Sequence, residues 1–239
     1  MNVRYRRGGG RRPPPDREVL DIASDGSFTM WRSNGSASYP PSPVGRFSGK
    51  LSVEDAGQLE TLATAAAAAG DLDVTPPPDA AIERIELEGA TARMGHHEEL
   101  EGPWGLLAAL LRRLLGDLTA QPLAAIALEV APGGAAARLV HRGTMPLELN
   151  LENLEVRAVL WQGYRTQGDW RAPANPAFAG RVTAGPGLAF DLPFDHGFEV
   201  GEGREVVAYA TLVALDSGQP VPVSLTSPRS AAPAEEANQ

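Results

Sequence analysis

The chain has 239 residues, 43% of them hydrophobic and 21% charged, with no cysteine and a formal net charge of −9. That apolar fraction excludes wholesale disorder, and the length allows one large domain or two small ones. The missing thiols exclude a disulfide framework, a thiolate metal site and a cysteine nucleophile.

The charge is uneven. Arg4, Arg6, Arg7, Arg11, Arg12 and Arg17 stand against Asp16 alone in residues 1–17, a local balance of +5 that leaves −14 for the remainder. An acidic body repels nucleic acid and anionic membrane, so no nucleic-acid partner is expected. The opening residues lack the apolar run of a secretory signal, and the run Leu106 to Leu111 is far short of a membrane span. The chain is expected to be soluble and cytoplasmic.

In chain order, Val3 and Tyr5 alternate with Arg4 and Arg6 as in a half-buried strand. Gly8-Gly9-Gly10 and Pro13-Pro14-Pro15 break the pattern, and Val19, Leu20 and Ile22 form a second strand. Asp25-Gly26 and Asn34-Gly35 are hairpin signals around Phe28 to Trp31, and Val44, Phe47 and Leu51 mark a fourth strand. Ser52 is placed to cap a helix carrying Leu59, Leu62 and an alanine run, which Gly70 stops. After a linker with Pro76-Pro77-Pro78, Ile82 to Met94 reads as a hairpin around Glu88-Gly89. Pro103 opens a second helix on which Trp104, Leu107, Leu111, Leu114 and Leu118 form one apolar face.

From Ala124 to Thr226 no helical period appears. Some seven short apolar runs separated by turn signals indicate an antiparallel, immunoglobulin-like sandwich, with Pro222 marking an edge strand. The expected organisation is an α+β domain of antiparallel strands with two helices over residues 1–120, an all-β sandwich over 121–227 and a disordered tail over 228–239.

Two clusters offer candidate chemistry. His96-His97-Glu98-Glu99 concentrates metal-ligating side chains, but neighbouring residues at a strand end diverge and no His-x-x-x-His spacing is present. Asp191, Asp195, His196, Glu199 and Glu202 combine carboxylates with an imidazole, without a calcium-loop spacing. His141 reads as structural, and no Gly-x-Ser-x-Gly elbow accompanies the serines. Gly8-Gly9-Gly10 precedes prolines rather than a helix and so cannot cradle a phosphate. No catalytic residue, metal site or cofactor is assigned. The glycine-arginine segment fits an exposed loop that approaches another surface closely.

The first half resembles the emfourin-type domain, a family of small proteinaceous inhibitors of thermolysin-like metallopeptidases. The resemblance rests on Val3-Arg4-Tyr5-Arg6 running into Gly8-Gly9-Gly10, a Leu- and Ala-rich helix after Leu51, and Glu99-Leu100 leading through Gly102-Pro103-Trp104 into a leucine-rich helix. It covers about half the chain. Where the family usually continues with an aromatic and small apolar residues, Gly10 is followed here by Arg11, Arg12 and three prolines. The resemblance implies a non-enzymatic protein-binding module, with a peptidase as partner and Gly8, Gly9, Gly10, Arg11, Arg12 and Trp104 as contacts. Two other readings stay open at this point: a metal-dependent protein or hydrolase using the carboxylate–histidine clusters, and a structural subunit of a larger assembly.

Overall fold

The structure, a computed structural model, describes residues 1–9, 16–35, 43–76, 78, 80–96, 100–172, 180–199 and 203–229. The predicted contacts Gly10, Arg11 and Arg12, the cluster members His97, Glu98, Glu99 and Glu202, and residues 230–239 of the predicted tail lie outside them. The described residues are mostly β, with two α-helices and open sheets, an α+β arrangement. None of their helices is long and apolar enough to cross a membrane. The chain divides into two compact units, Met1–Ser33 with Arg46–Leu123, and Asn34–Gly45 with Ala124–Gln239.

The first unit contains β1 (Val3–Gly9), β2 (Asp16–Ile22), β3 (Ser27–Arg32), β4 (Val44–Lys50), α1 (Val53–Ala69), β5 (Leu72–Asp73), β6 (Ala81–Leu87), β7 (Ala90–Gly95) and α2 (Pro103–Leu118). Its strands run in the order β4-β3-β2-β1-β6-β7-β5; the pairs from β3 through β7 are antiparallel, and β5 joins β7 in parallel. Alternation puts Val3 and Tyr5, Leu20 and Ile22, Phe28 and Met30, and Ile85 and Leu87 on one buried face. Onto this face α2 packs Leu107, Leu111, Leu114 and Leu115, while α1 contributes the small residues Ala63 and Ala66 with Leu59.

The helix boundaries follow local chemistry. The Ser52 hydroxyl accepts the Asp55 amide at 3.0 Å, and Glu54 and Asp55 sit at the positive end of α1. Gly70 leaves the helix at φ 78°, a conformation costly for residues with a Cβ. Pro103 occupies the first turn of α2.

Two expectations need correction. The glycine run does not end β1, because Gly8 and Gly9 continue the strand opposite Ile82 and Ala81, with a register shift between Arg7 and Gly8. An extended glycine is strand-competent when neighbours on both sides supply hydrogen-bond partners. The Asp25-Gly26 hairpin exists, but its connection runs from Ala23 to Gly26, closed by the Ala23 amide on the Ser27 carbonyl and by Asp25 Oδ1 on the Ser27 amide. Asn34 forms an isolated parallel bridge to Ser224, and residues 36–42, which continue the Asn34-Gly35 connection, lie outside the described residues.

The second unit contains β8 (Pro122–Val130), β9 (Ala137–Gly143), β10 (Leu147–Gln162), β11 (Arg165–Arg171), β12 (Arg181–Ala184), β13 (Ala189–Asp191), β14 (Arg204–Asp216) and β15 (Gln219–Thr226). One antiparallel run is β13-β9-β8, and a second sheet is ordered β11-β10-β14-β15 with β12 on β10. Pro220 and Pro222 lie on β15, which ends that order.

Candidate functional site: a buried row of alternating charge

The odd-numbered face of β1 that buries Val3 and Tyr5 ends in Arg7, not in a third apolar residue. The same happens on its neighbours. Register places Arg7 opposite Glu18 on β2 and Glu83 on β6, and Glu18 opposite Arg32 on β3. The four side chains therefore form a cross-strand row of alternating sign, Arg32, Glu18, Arg7, Glu83, on the face that α2 covers. Glu83 has no exposed surface, and Glu18 and Arg32 retain 1% each.

Buried charges persist only when paired and hydrogen-bonded. Arg32 Nη2 lies 2.6 Å from one Glu18 oxygen, Arg7 Nη2 contacts the other, and Arg32 also reaches the Leu115 carbonyl of α2 at 3.5 Å. Arg112 of α2 takes Glu83 with Nε at 2.9 Å and Nη2 at 2.7 Å. His96, just past β7, places Nδ1 against Glu83 and Nε2 at 3.3 Å from Arg7 Nη1. A guanidinium can only donate, so Nε2 accepts and the imidazole proton sits on Nδ1, facing the carboxylate.

Burial is the largest influence on Glu83 and would raise its pKa. The hydrogen bonds from His96 and Arg112, together with the Arg112 charge, outweigh it and hold the carboxyl at about 2. Tyr5, fully buried beneath the row, is pushed well above the ordinary phenol value by burial first and by the Glu83 charge second. It therefore stays neutral. The row ties β3, β2, β1, β6, the end of β7 and α2 together, and its described members are engaged with one another. Its chemistry is that of a clamp directly beneath the Gly8–Gly9 end of β1.

The predicted contacts fall as follows. Gly8 is buried in β1. Trp104 is 4% exposed, and its indole N–H donates to the Gly70 carbonyl at 2.8 Å, closing the C-terminal end of α1. The large apolar side chain presented on α2 is Leu106, at 59% exposure.

Of the first histidine cluster, His96 belongs to the buried row. In the second, Asp191 pairs with Arg138 at 3.2 Å on the surface, and Asp195 and Glu199 are exposed. His196 is turned elsewhere. Its Nε2 donates to the Gly134 carbonyl at 2.6 Å, its Nδ1 accepts the Phe198 amide at 2.8 Å, and its ring packs among Trp170, Phe194 and Phe198. His141 Nε2 lies 2.8 Å from the Met145 carbonyl, to which it donates. Among the described residues no group of three or more His, Asp or Glu side chains is arranged to hold a metal ion.

Glu18, Arg32, Glu83, Arg7 and Arg112 are not among the sequence-derived candidates. Their signal is positional, since on each strand the charged residue takes the parity of its buried neighbours, Leu20, Met30, Ile85 and Tyr5. At the opposite end of β1 an open cavity of about 710 Å³ is walled by Arg4, Asp21, Thr29, Glu86 and Glu88. Arg4 and Asp21 pair there at 3.4 Å, both about half exposed.

Comparison with protein-family models, with curated protein sequences and with solved structures yields no significant match to this chain.

Proposed function

We propose that the protein is a non-enzymatic, cytoplasmic protein-binding module, and in its sharper form a regulator or inhibitor of a thermolysin-like peptidase. The contact segment is the β1–β2 connection, which carries Gly10, Arg11 and Arg12 and follows the Gly8–Gly9 end of β1. The observation that carries this reading is the clamp around Arg7. It fixes both flanks of that connection through Glu18 and Glu83, and binding segments work best when a rigid scaffold presents them. The emfourin-like features of the first half supply the peptidase as partner class.

In the same reading the second unit is an immunoglobulin-like sandwich. The antiparallel β11-β10-β14-β15 sheet, the antiparallel run β13-β9-β8 and the buried apolar residues of β10 and β14 support that architecture. Its loops then offer further contact surface.

The test is titration of thermolysin activity with the full chain and with an Arg11→Ala/Arg12→Ala variant. Stoichiometric inhibition by the parent, weakened at least about tenfold in the variant, supports the proposal. Undiminished peptidase activity at excess protein removes the inhibitor form. A partner captured by the parent and lost by the variant retains the binding class alone.

A further inference from the structure

The face of the first unit's sheet turned away from α2 carries a second charged row, of one sign. Register places Arg6 on β1 opposite Arg84 on β6, and Arg84 opposite Arg93 on β7. At a strand spacing of about 4.8 Å the three Cα positions fall within roughly 10 Å of one another. Like charges directly opposite in a sheet repel, so the row depends on the carboxylates that meet it.

Surface carboxylates accompany the two outer arginines. Arg6 meets Glu86 at 3.5 Å and Arg93 meets Asp73 at 3.2 Å, with all four side chains between 31% and 75% exposed. Exposed pairs of this kind contribute at most about 1 kcal/mol and exchange readily with other carboxylates. Arg84, between them, is exposed.

We infer that this face docks an acidic segment of a protein partner, whose Asp or Glu side chains engage the Arg6–Arg84–Arg93 row. The inference rests on the reading of the chain as a protein-binding module and names the chemistry of its partner. The row already holds carboxylates, so an incoming acidic segment can take over the places of Glu86 and Asp73 without new geometry. A long polyanion is disfavoured, because the −14 carried outside residues 1–17 opposes its approach, whereas a short acidic segment meets only the local field.

The test uses a fluorescein-labelled oligo-glutamate peptide, read by fluorescence anisotropy at low and at near-physiological salt. Binding by the full chain is expected, weakening with salt and falling about tenfold in Arg84→Gln/Arg93→Gln. Both positions are at the surface, and circular dichroism confirms that the variant folds. Arg165→Gln, an exposed arginine of the second unit, is expected to leave binding unchanged. Absence of binding, equal weakening by Arg165→Gln, or tighter binding of an oligonucleotide of equal charge would each overturn the inference. No peptidase enters this measurement, so its failure is distinct from failure of the inhibitor reading.

Discussion

Arg112 on α2 grips the carboxylate of Glu83 on β6 with two nitrogens, at 2.9 Å and 2.7 Å, where the glutamate has no contact with solvent. This pairing makes stability depend on pH in a definite direction. The carboxyl lies at about 2 in the folded chain against 4.5 for a free glutamate, because its bonds to His96 and Arg112 overcome a burial effect that is itself the largest single influence. Between those values the unfolded chain binds the extra proton, so the contribution is complete above pH 4.5 and is lost as the pH falls toward about 2. The loss is on the order of 3 kcal/mol. Urea unfolding of the parent across this window should show that decline, and Glu83→Gln should be less stable at neutral pH with a flatter profile. Parallel profiles for the two proteins would contradict the assignment.

The Arg32–Glu18 pair makes a different prediction. Arg32 is 1% exposed, and its Nε and Nη1 groups have no hydrogen-bond partner among the described residues, so the pair contributes less than its 2.6 Å separation suggests. Breaking it is still costly. Arg32→Met leaves Glu18 buried with Arg7 alone and is expected to cost about 3 kcal/mol. Combining it with Glu18→Leu removes both buried charges, and the double variant should be more stable than the sum of the single losses implies. A double-mutant cycle by chemical denaturation measures this coupling, expected at about 1–3 kcal/mol. Simple additivity would show that the two side chains act independently.

Much of the fold is legible in local pattern. Ser52, Gly70, Pro103 and the Glu88-Gly89 turn bound their elements because capping and turn chemistry act over a few residues. The leucine face of α2 follows from a period that survives into the tertiary structure. Gly8 and Gly9 were misleading because glycine has no strand preference of its own, and β2 and β6 supply what the local sequence lacks. The charged clamp was hidden for a related reason. Arg7, Glu18 and Glu83 are each ordinary surface residues by type, and only the pairing of strands far apart in sequence reveals them as a single row. A count of charges at buried parity would have flagged each one, but not which of them meet.

His196 holds the second unit together rather than awaiting a ligand. Both ring nitrogens bond to backbone, and the ring stacks on Phe198 with centroids 4.9 Å apart. His196→Ala is expected to lose about 2 kcal/mol, from two hydrogen bonds of about 1 kcal/mol each and the ring packing. Asp195→Ala, next to it but exposed, should fall within about 0.5 kcal/mol of the parent. Equal losses at the two positions would mean that the backbone bonds of the imidazole contribute nothing measurable.

Two glycines of α2 separate packing from intrinsic propensity. Gly116 is exposed, and a Cβ added there meets no atom within 4 Å, so Gly116→Ala gains helix propensity without a clash. A gain of about 0.5–1 kcal/mol is expected, visible as a rise of a few degrees in Tm. At Gly105 a Cβ would lie 1.7 Å from the Leu100 carbonyl oxygen, a backbone atom that cannot move aside without displacing the entry to the helix. Gly105→Ala is therefore expected to destabilise by more than about 1 kcal/mol despite the same gain in propensity. Thermal unfolding of both variants reads the contrast directly. A rise in Tm for Gly105→Ala would show that the chain at Leu100 does not lie against the first turn of α2. It would also loosen the placement of Trp104, whose bond to Gly70 depends on that first turn.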